Sequence, residues 1–108
     1  MNLKAQKIIN ETPNCGISLN SSKTGYVIYI DNSCGEDFEI EIEKSNSDAE
    51  ILAIINYCDN YDADEHFHSW YGADRGEPSD ARALLDNCEE IGETLRQLSS
   101  NLYSYLYF

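Results

Sequence analysis

Asp37-Phe38-Glu39-Ile40-Glu41-Ile42-Glu43 alternates acidic and apolar side chains without a break. Successive side chains of a β-strand leave on opposite faces. Phe38, Ile40 and Ile42 therefore share one face, and Asp37, Glu39, Glu41 and Glu43 share the other. The first face belongs to a core, and the second is a row of carboxylates.

Reading outward from this strand, residues 26–31 (YVIYID) are β-branched and aromatic, which suits a strand covered on both faces. Residues 32–35 form the turn between the two. Upstream, residues 16–20 read as a weaker strand and 21–25 as a polar hairpin loop. Pro13 and Gly16 punctuate the chain before it, and residues 3–10 (LKAQKIIN) fit either a short helix or an edge strand. Downstream the period changes. Ser47-x-x-Glu50 reads as a capping box opening a helix, with Ile51, Leu52, Ile54, Ile55 and Cys58 on its apolar face. Asp62-x-x-Glu65 opens another, bearing Phe67, Trp70 and Tyr71. Gly72 and Gly76 bracket a loop, and Pro78 and Ser79 introduce the longest helix. In it Leu84, Cys88, Ile91, Leu95, Leu98 and Leu102 recur at spacings of four and three, one continuous stripe. Strands first and helices after give an α+β fold: a three-stranded antiparallel meander followed by about three helices packed on one face.

The 108 residues suit one domain. With 42% hydrophobic and 11% aromatic residues the chain is expected to fold, not to stay disordered. Cys15, Cys34, Cys58 and Cys88 form no C-x-x-C pair, so neither a zinc ribbon nor a thioredoxin-type site is indicated. They read as small core residues, reduced in a cytoplasmic protein. The first residues show no apolar run of the signal-peptide kind, and no stretch approaches the ~20 apolar residues of a membrane helix.

The charge decides more. Twenty acids against seven bases give a net charge of −13, more than the ~2–8 charges that keep a small domain soluble. From Asp31 to Glu65 stand twelve acids and a single base, Lys44, so eleven net negative charges fall in 35 residues. The long helix adds Asp86, Glu89, Glu90 and Glu93 on the side away from its leucines. Same-face neighbours on a strand lie about 6.6–6.8 Å apart, so the strand row imitates a line of phosphates at about half the density of one DNA strand. The expected partner surface is Asp37, Glu39, Glu41 and Glu43, flanked by Asp31, Glu36, Asp62, Asp64 and Glu65. A polar outer face on an edge strand also blocks aggregation, but four outward acids with no interleaved lysine repel one another.

Catalytic residue types gather at Asp64-Glu65-His66-Phe67-His68, without the H-E-x-x-H spacing that puts two histidines on one helix face. Two positions apart on a helix, His66 and His68 diverge by roughly 200° and do not share a metal. No phosphate loop or nucleophile elbow occurs, and the acidic footprint disfavours direct nucleic-acid binding. The expectation is a non-enzymatic protein with no cofactor and no metal. The uncharged end, Leu102-Tyr103-Ser104-Tyr105-Leu106-Tyr107-Phe108, either docks on its own domain or forms a sticky surface.

Tyr61-Asp62-Ala63-Asp64-Glu65-His66 with Trp70, followed by Gly76-Glu77-Pro78-Ser79 and an acidic helix, resembles a small uncharacterised protein family of phages and mobile elements of gut Firmicutes. The likeness spans about residues 57–102 and carries no functional residue with it. In size, charge and order of elements the chain is also similar in kind to phage anti-CRISPR proteins that fill the DNA groove of Cas9. That likeness implies a DNA mimic acting as an inhibitor in host defence evasion. Its partner would be a basic nucleic-acid-binding protein in the bacterial cytoplasm, Cas9 foremost. The alternative is a structural or regulatory interaction protein of a mobile element, a homodimer joined through the C-terminal helix and its tyrosine-rich tail.

Overall fold

The computed structural model describes residues 1–33, 38–72 and 81–108, with residues 71 and 72 described by backbone alone. Cys34, Glu36, Asp37 and the run Gly76-Glu77-Pro78-Ser79 lie outside the described residues. The described elements, in order, are α1 (Leu3–Glu11), β1 (Cys15–Leu19), β2 (Gly25–Ile30), β3 (Phe38–Glu43), α2 (Ser47–Asn60), α3 (Ala63–Gly72) and α4 (Ala81–Tyr107). The three strands form an antiparallel sheet in the order β1-β2-β3. This is the α+β meander followed by helices that the sequence indicates, with one further helix in front.

That helix settles the ambiguity at the N-terminus. Asn2 caps α1 by accepting from the Ala5 N–H at 2.8 Å, and Ala5 and Ile9, four apart, are fully buried. The helix stops at Thr12, extended at ψ 127° as a residue before proline must be. Its N–H still bonds to the Ile8 and Ile9 carbonyls.

Register fixes the faces of the sheet. Tyr26 opposes Ile42, Ile28 opposes Ile40 and Ile30 opposes Phe38, all on the face turned to the helices. Gly25 opposes Glu43, and a Cβ there would collide with the Ile42 backbone carbonyl. β2 is covered on both faces, as expected, except at Tyr29, which is exposed. The α4 stripe (Leu84, Cys88, Ile91, Leu95, Leu98 and Leu102) is buried in full, most of it against Ile28, Ile40, Ile51 and Ile54. The helix runs on through the tyrosine-rich end, where Tyr105 and Leu106 pack on the core while Tyr103, Tyr107 and Phe108 stay exposed.

Two sequence expectations about α2 are corrected. The cap is Asn46, which accepts from the Ala49 N–H at 2.8 Å, so Ser47 is the first helical residue and the expected Ser47–Glu50 capping box does not form. Glu50 is then free for another task. It is 1% exposed, its Oε2 accepts from the Ser45 N–H at 3.0 Å, and its Oε1 pairs with the Met1 amine at 2.6 Å. The same amine donates to the Tyr26 hydroxyl at 2.9 Å. Glu50 therefore belongs to the interior, not to the acidic surface. Among the described residues that amine is the one counterpart of Oε1.

Breaking one side of a buried pair leaves the other charge uncompensated. Glu50→Gln should lower the free energy of unfolding by about 3 kcal/mol in urea titration. A loss under about 0.5 kcal/mol would show that the amine finds water instead.

Candidate functional site

The pleat of β3 sends Glu39, Glu41 and Glu43 to the face of the sheet away from the helices, and all three are exposed. Their cross-strand partners on that face are Tyr29, Val27 and Gly25, and beyond them Gly16 and Ser18 of β1. Val27 is nevertheless only 6% exposed, sheltered among its larger neighbours. Tyr29 reaches the Ser18 hydroxyl at 3.4 Å. The face is therefore a small apolar centre with a line of carboxylates along one side. Among the described residues none of the three glutamates enters an ion pair, and the side chains of this face include no base.

The free side of β3 follows from the hydrogen-bond phase of the sheet. Asp31 N–H bonds to Asn14 O at 2.9 Å, and Asn20 N–H to Gly25 O at 3.0 Å. Residues of an antiparallel pair alternate between bonded and non-bonded positions, so Tyr29 and Val27 face β1 while Tyr26, Ile28 and Ile30 face β3. The Lys44 N–H to Thr24 O bond, 3.0 Å, continues that phase. Phe38, Ile40 and Ile42 thus bond back to β2. The backbone N–H and C=O of Glu39, Glu41 and Glu43 point out of the sheet, where no described residue bonds to them.

Behind this edge, on the helix side, lies a groove of about 560 Å³. Phe38 and Ile42 form one wall, Ala53, Asn56, Tyr57 and Asn60 of α2 another, and Tyr61, Asp62, Glu65, His66 and Ser69 close it. Its aromatic lining is interlocked. Phe38 meets Tyr61 edge-on at 5.8 Å, and His66 stacks on Trp70 at 5.1 Å and 14°. Tyr61 has one hydroxyl proton, and the Cys88 carbonyl at 3.1 Å can only accept it. The 2.7 Å contact to His66 is then an Nδ1–H donating to the Tyr61 oxygen. Burial raises the Tyr61 pKa, with Cys88 adding to the effect. This contact ties α3 to α4 through Tyr61.

Among the described residues, the acids named from the sequence do not all share one face. Glu39, Glu41 and Glu43 stand together, whereas Asp62 and Glu65 line the groove, around the β3 edge from them. Asp62 is the cap of α3: its Oδ1 accepts from the Asp64 N–H at 2.9 Å and the Glu65 N–H at 3.2 Å. Asp64 and Glu65, in the first turn, face the positive end of the helix dipole. Asp31 sits at the end of β2 beside Cys15. Glu36 and Asp37 lie outside the described residues. The sequence reading missed the groove, because Phe38, Tyr57 and Tyr61 look like ordinary core or helix residues until distant elements meet.

His66 and His68 lie on α3 as expected, the first half-buried and the second exposed. Among the described residues no cluster of three metal-ligating side chains occurs, and no helix is long and apolar enough to cross a membrane. No family model matches this chain, and no curated protein or solved structure does either.

Burial pushes the Cys15 thiol from 9.0 up to about 11, with Asp31 adding to it. Burial pushes Cys58 up to about 12, helped by Asp59. The unfolded thiols ionise near their ordinary value while the folded ones keep their protons. Their contribution to stability is therefore whole below about pH 9 and lost as pH climbs through 11 and 12. Unfolding titrations should show stability falling above pH 9, with a shallower fall in Cys58→Ala. Identical slopes in parent and variant would remove Cys58 from this account.

Proposed function

We propose that this chain is a non-enzymatic acidic binding protein whose outward β3 face occupies the nucleic-acid channel of a basic partner. The partner class is a nucleic-acid-binding defence protein, with Cas9 as the target that the likeness in kind implies. One observation carries the reading: Glu39, Glu41 and Glu43 stand exposed in line, unpaired among the described residues, on a face bearing no base.

Unpaired like charges at ~6.8 Å spacing repel one another, and a lysine-rich or arginine-rich channel relieves that repulsion while releasing nothing but small ions. Such a channel is built to hold phosphates and is emptied of DNA by a rigid acidic ribbon. The row has about half the charge density of one DNA strand, so the ribbon competes by shape and anchorage as well as by charge. In the alternative, a dimer through the C-terminal helix, the contact would fall to the exposed Tyr103, Tyr107 and Phe108, because the leucines of the α4 stripe pack in the core.

The test is Glu39→Lys with Glu41→Lys. Both side chains are exposed, so the variant should unfold within about 0.5 kcal/mol of the parent. Binding to a basic DNA-binding nuclease, measured by competition with labelled duplex, should weaken by at least about tenfold. The parent's affinity should also fall steeply as salt rises. Undiminished binding by the variant would mean that the row is not the interface.

A further inference from the structure

Resting on the reading of β3 as the contact surface, we infer that its free edge accepts an extended segment of the partner as a fourth strand, with basic and apolar residues alternating along that segment. Three observations meet at this edge. The N–H and C=O groups of Glu39, Glu41 and Glu43 leave the sheet at every second residue, and no described residue bonds to them. An incoming antiparallel strand pairs with such groups directly, which gives affinity through main-chain bonds and selectivity through alternate side chains. Residues of that strand opposite the three glutamates share their face, within cross-strand reach of a carboxylate, so Lys or Arg belongs there. The residues between them turn to the helix side, where Phe38, Ile42, Tyr57 and Tyr61 line the 560 Å³ groove.

The other edge of the sheet is partly covered, where the Cys15 N–H donates to the Thr12 carbonyl at 3.1 Å. The outward Ile17 N–H of β1 donates to the Asn10 side chain of α1 at 3.1 Å. On β3 the glutamates act as a filter instead of a lid. A second copy of this chain, paired through its own β3, would set Glu against Glu along the whole face, and like charges directly opposite are destabilising. A basic strand meets the complement of that pattern. The same residues that prevent self-pairing therefore select the partner, and a heterologous basic strand is the occupant.

The experiment uses two short blocked peptides of the same composition, one alternating Lys with Val and Tyr, the other with its lysines grouped at one end. Binding is followed by backbone amide exchange in the whole protein. The alternating peptide should bind more tightly and slow the exchange of the Glu39, Glu41 and Glu43 amides. Glu41→Pro removes one outward N–H without breaking a bond to β2, and Glu41→Gln removes the charge alone. The proline variant should bind the alternating peptide at least about tenfold more weakly than the glutamine variant. Equal binding of the two peptides, with equal effects of the two substitutions, would overturn strand addition while leaving the acidic face as the contact surface. Salt-independent binding, unaffected by the Glu39→Lys and Glu41→Lys pair, would sink both. If the proline variant does not fold, amide exchange in the parent decides: no slowing at Glu39, Glu41 and Glu43 on saturation refutes the inference.

Discussion

A strand at the edge of a sheet has two faces and one free side, and β3 uses each for a different purpose. Its period of two commits Phe38, Ile40 and Ile42 to the helix-facing core. Once those three are fixed, the pleat leaves Glu39, Glu41 and Glu43 no choice but the outer face. The ladder phase then turns the backbone groups of the same three glutamates outward. A slip of one residue would bury three carboxylates and expose the isoleucines, so the core enforces the register and the register creates the acidic edge. Gly25 adds a local lock, since the backbone of Ile42 lies where any side chain at that position would go.

The helices cover one face of the sheet only, and that asymmetry gives the outer face its character. α4 supplies the long apolar stripe, α2 crosses it with Ile51, Ile54, Ile55 and Cys58, and α1 adds Ala5 and Ile9 from the N-terminal side. The ion pair of Glu50 with the Met1 amine, with Tyr26 as a third member, joins the start of the chain to α2 and β2. A buried pair of this kind adds little net stability against an apolar replacement, but it admits one arrangement of the three elements. Its position matters electrically too. One acid of the acid-rich middle of the chain is paired inside, while Glu39, Glu41 and Glu43 of β3 enter no ion pair among the described residues.

What could be read beforehand was what periodicity carries. The β3 alternation, the two-sided character of β2 and the α4 stripe each depend on neighbours along the chain, and the structure places Ile40, Ile28 and Leu95 as those patterns require. The N-terminal segment was ambiguous because LKAQKIIN offers a few apolar positions that fit either period. Asn2 as a cap and the packing of Ala5 and Ile9 decide it. Asn46 and Ser47 are both good caps one residue apart, so the local sequence does not choose between them, and Glu50 is drawn away by a partner 49 positions earlier. The groove was invisible for the same reason. Phe38, Tyr57, Tyr61 and His66 come from different elements, and nothing in their local spacing says that they share a wall.

The separation of the acids into two groups changes what the surface can be. A flat phosphate surrogate needs its charges side by side, and α3 does not lie beside the β3 row. Asp62 and Glu65 instead line the far side of the same edge, with the outward backbone of Glu39, Glu41 and Glu43 between the two groups. A chain segment laid along that edge lies between carboxylates above and below and meets hydrogen-bonding groups in its own plane. Charge alone would tolerate a basic partner in many orientations, because screened Coulomb attraction has little directional preference. The main-chain ladder holds an added strand in the plane of the sheet, and the two-residue period then sends alternate side chains to the acidic face and to the groove. In the strand-addition proposal the backbone of β3 would therefore supply affinity, and its glutamates together with the groove would decide which strands are admitted.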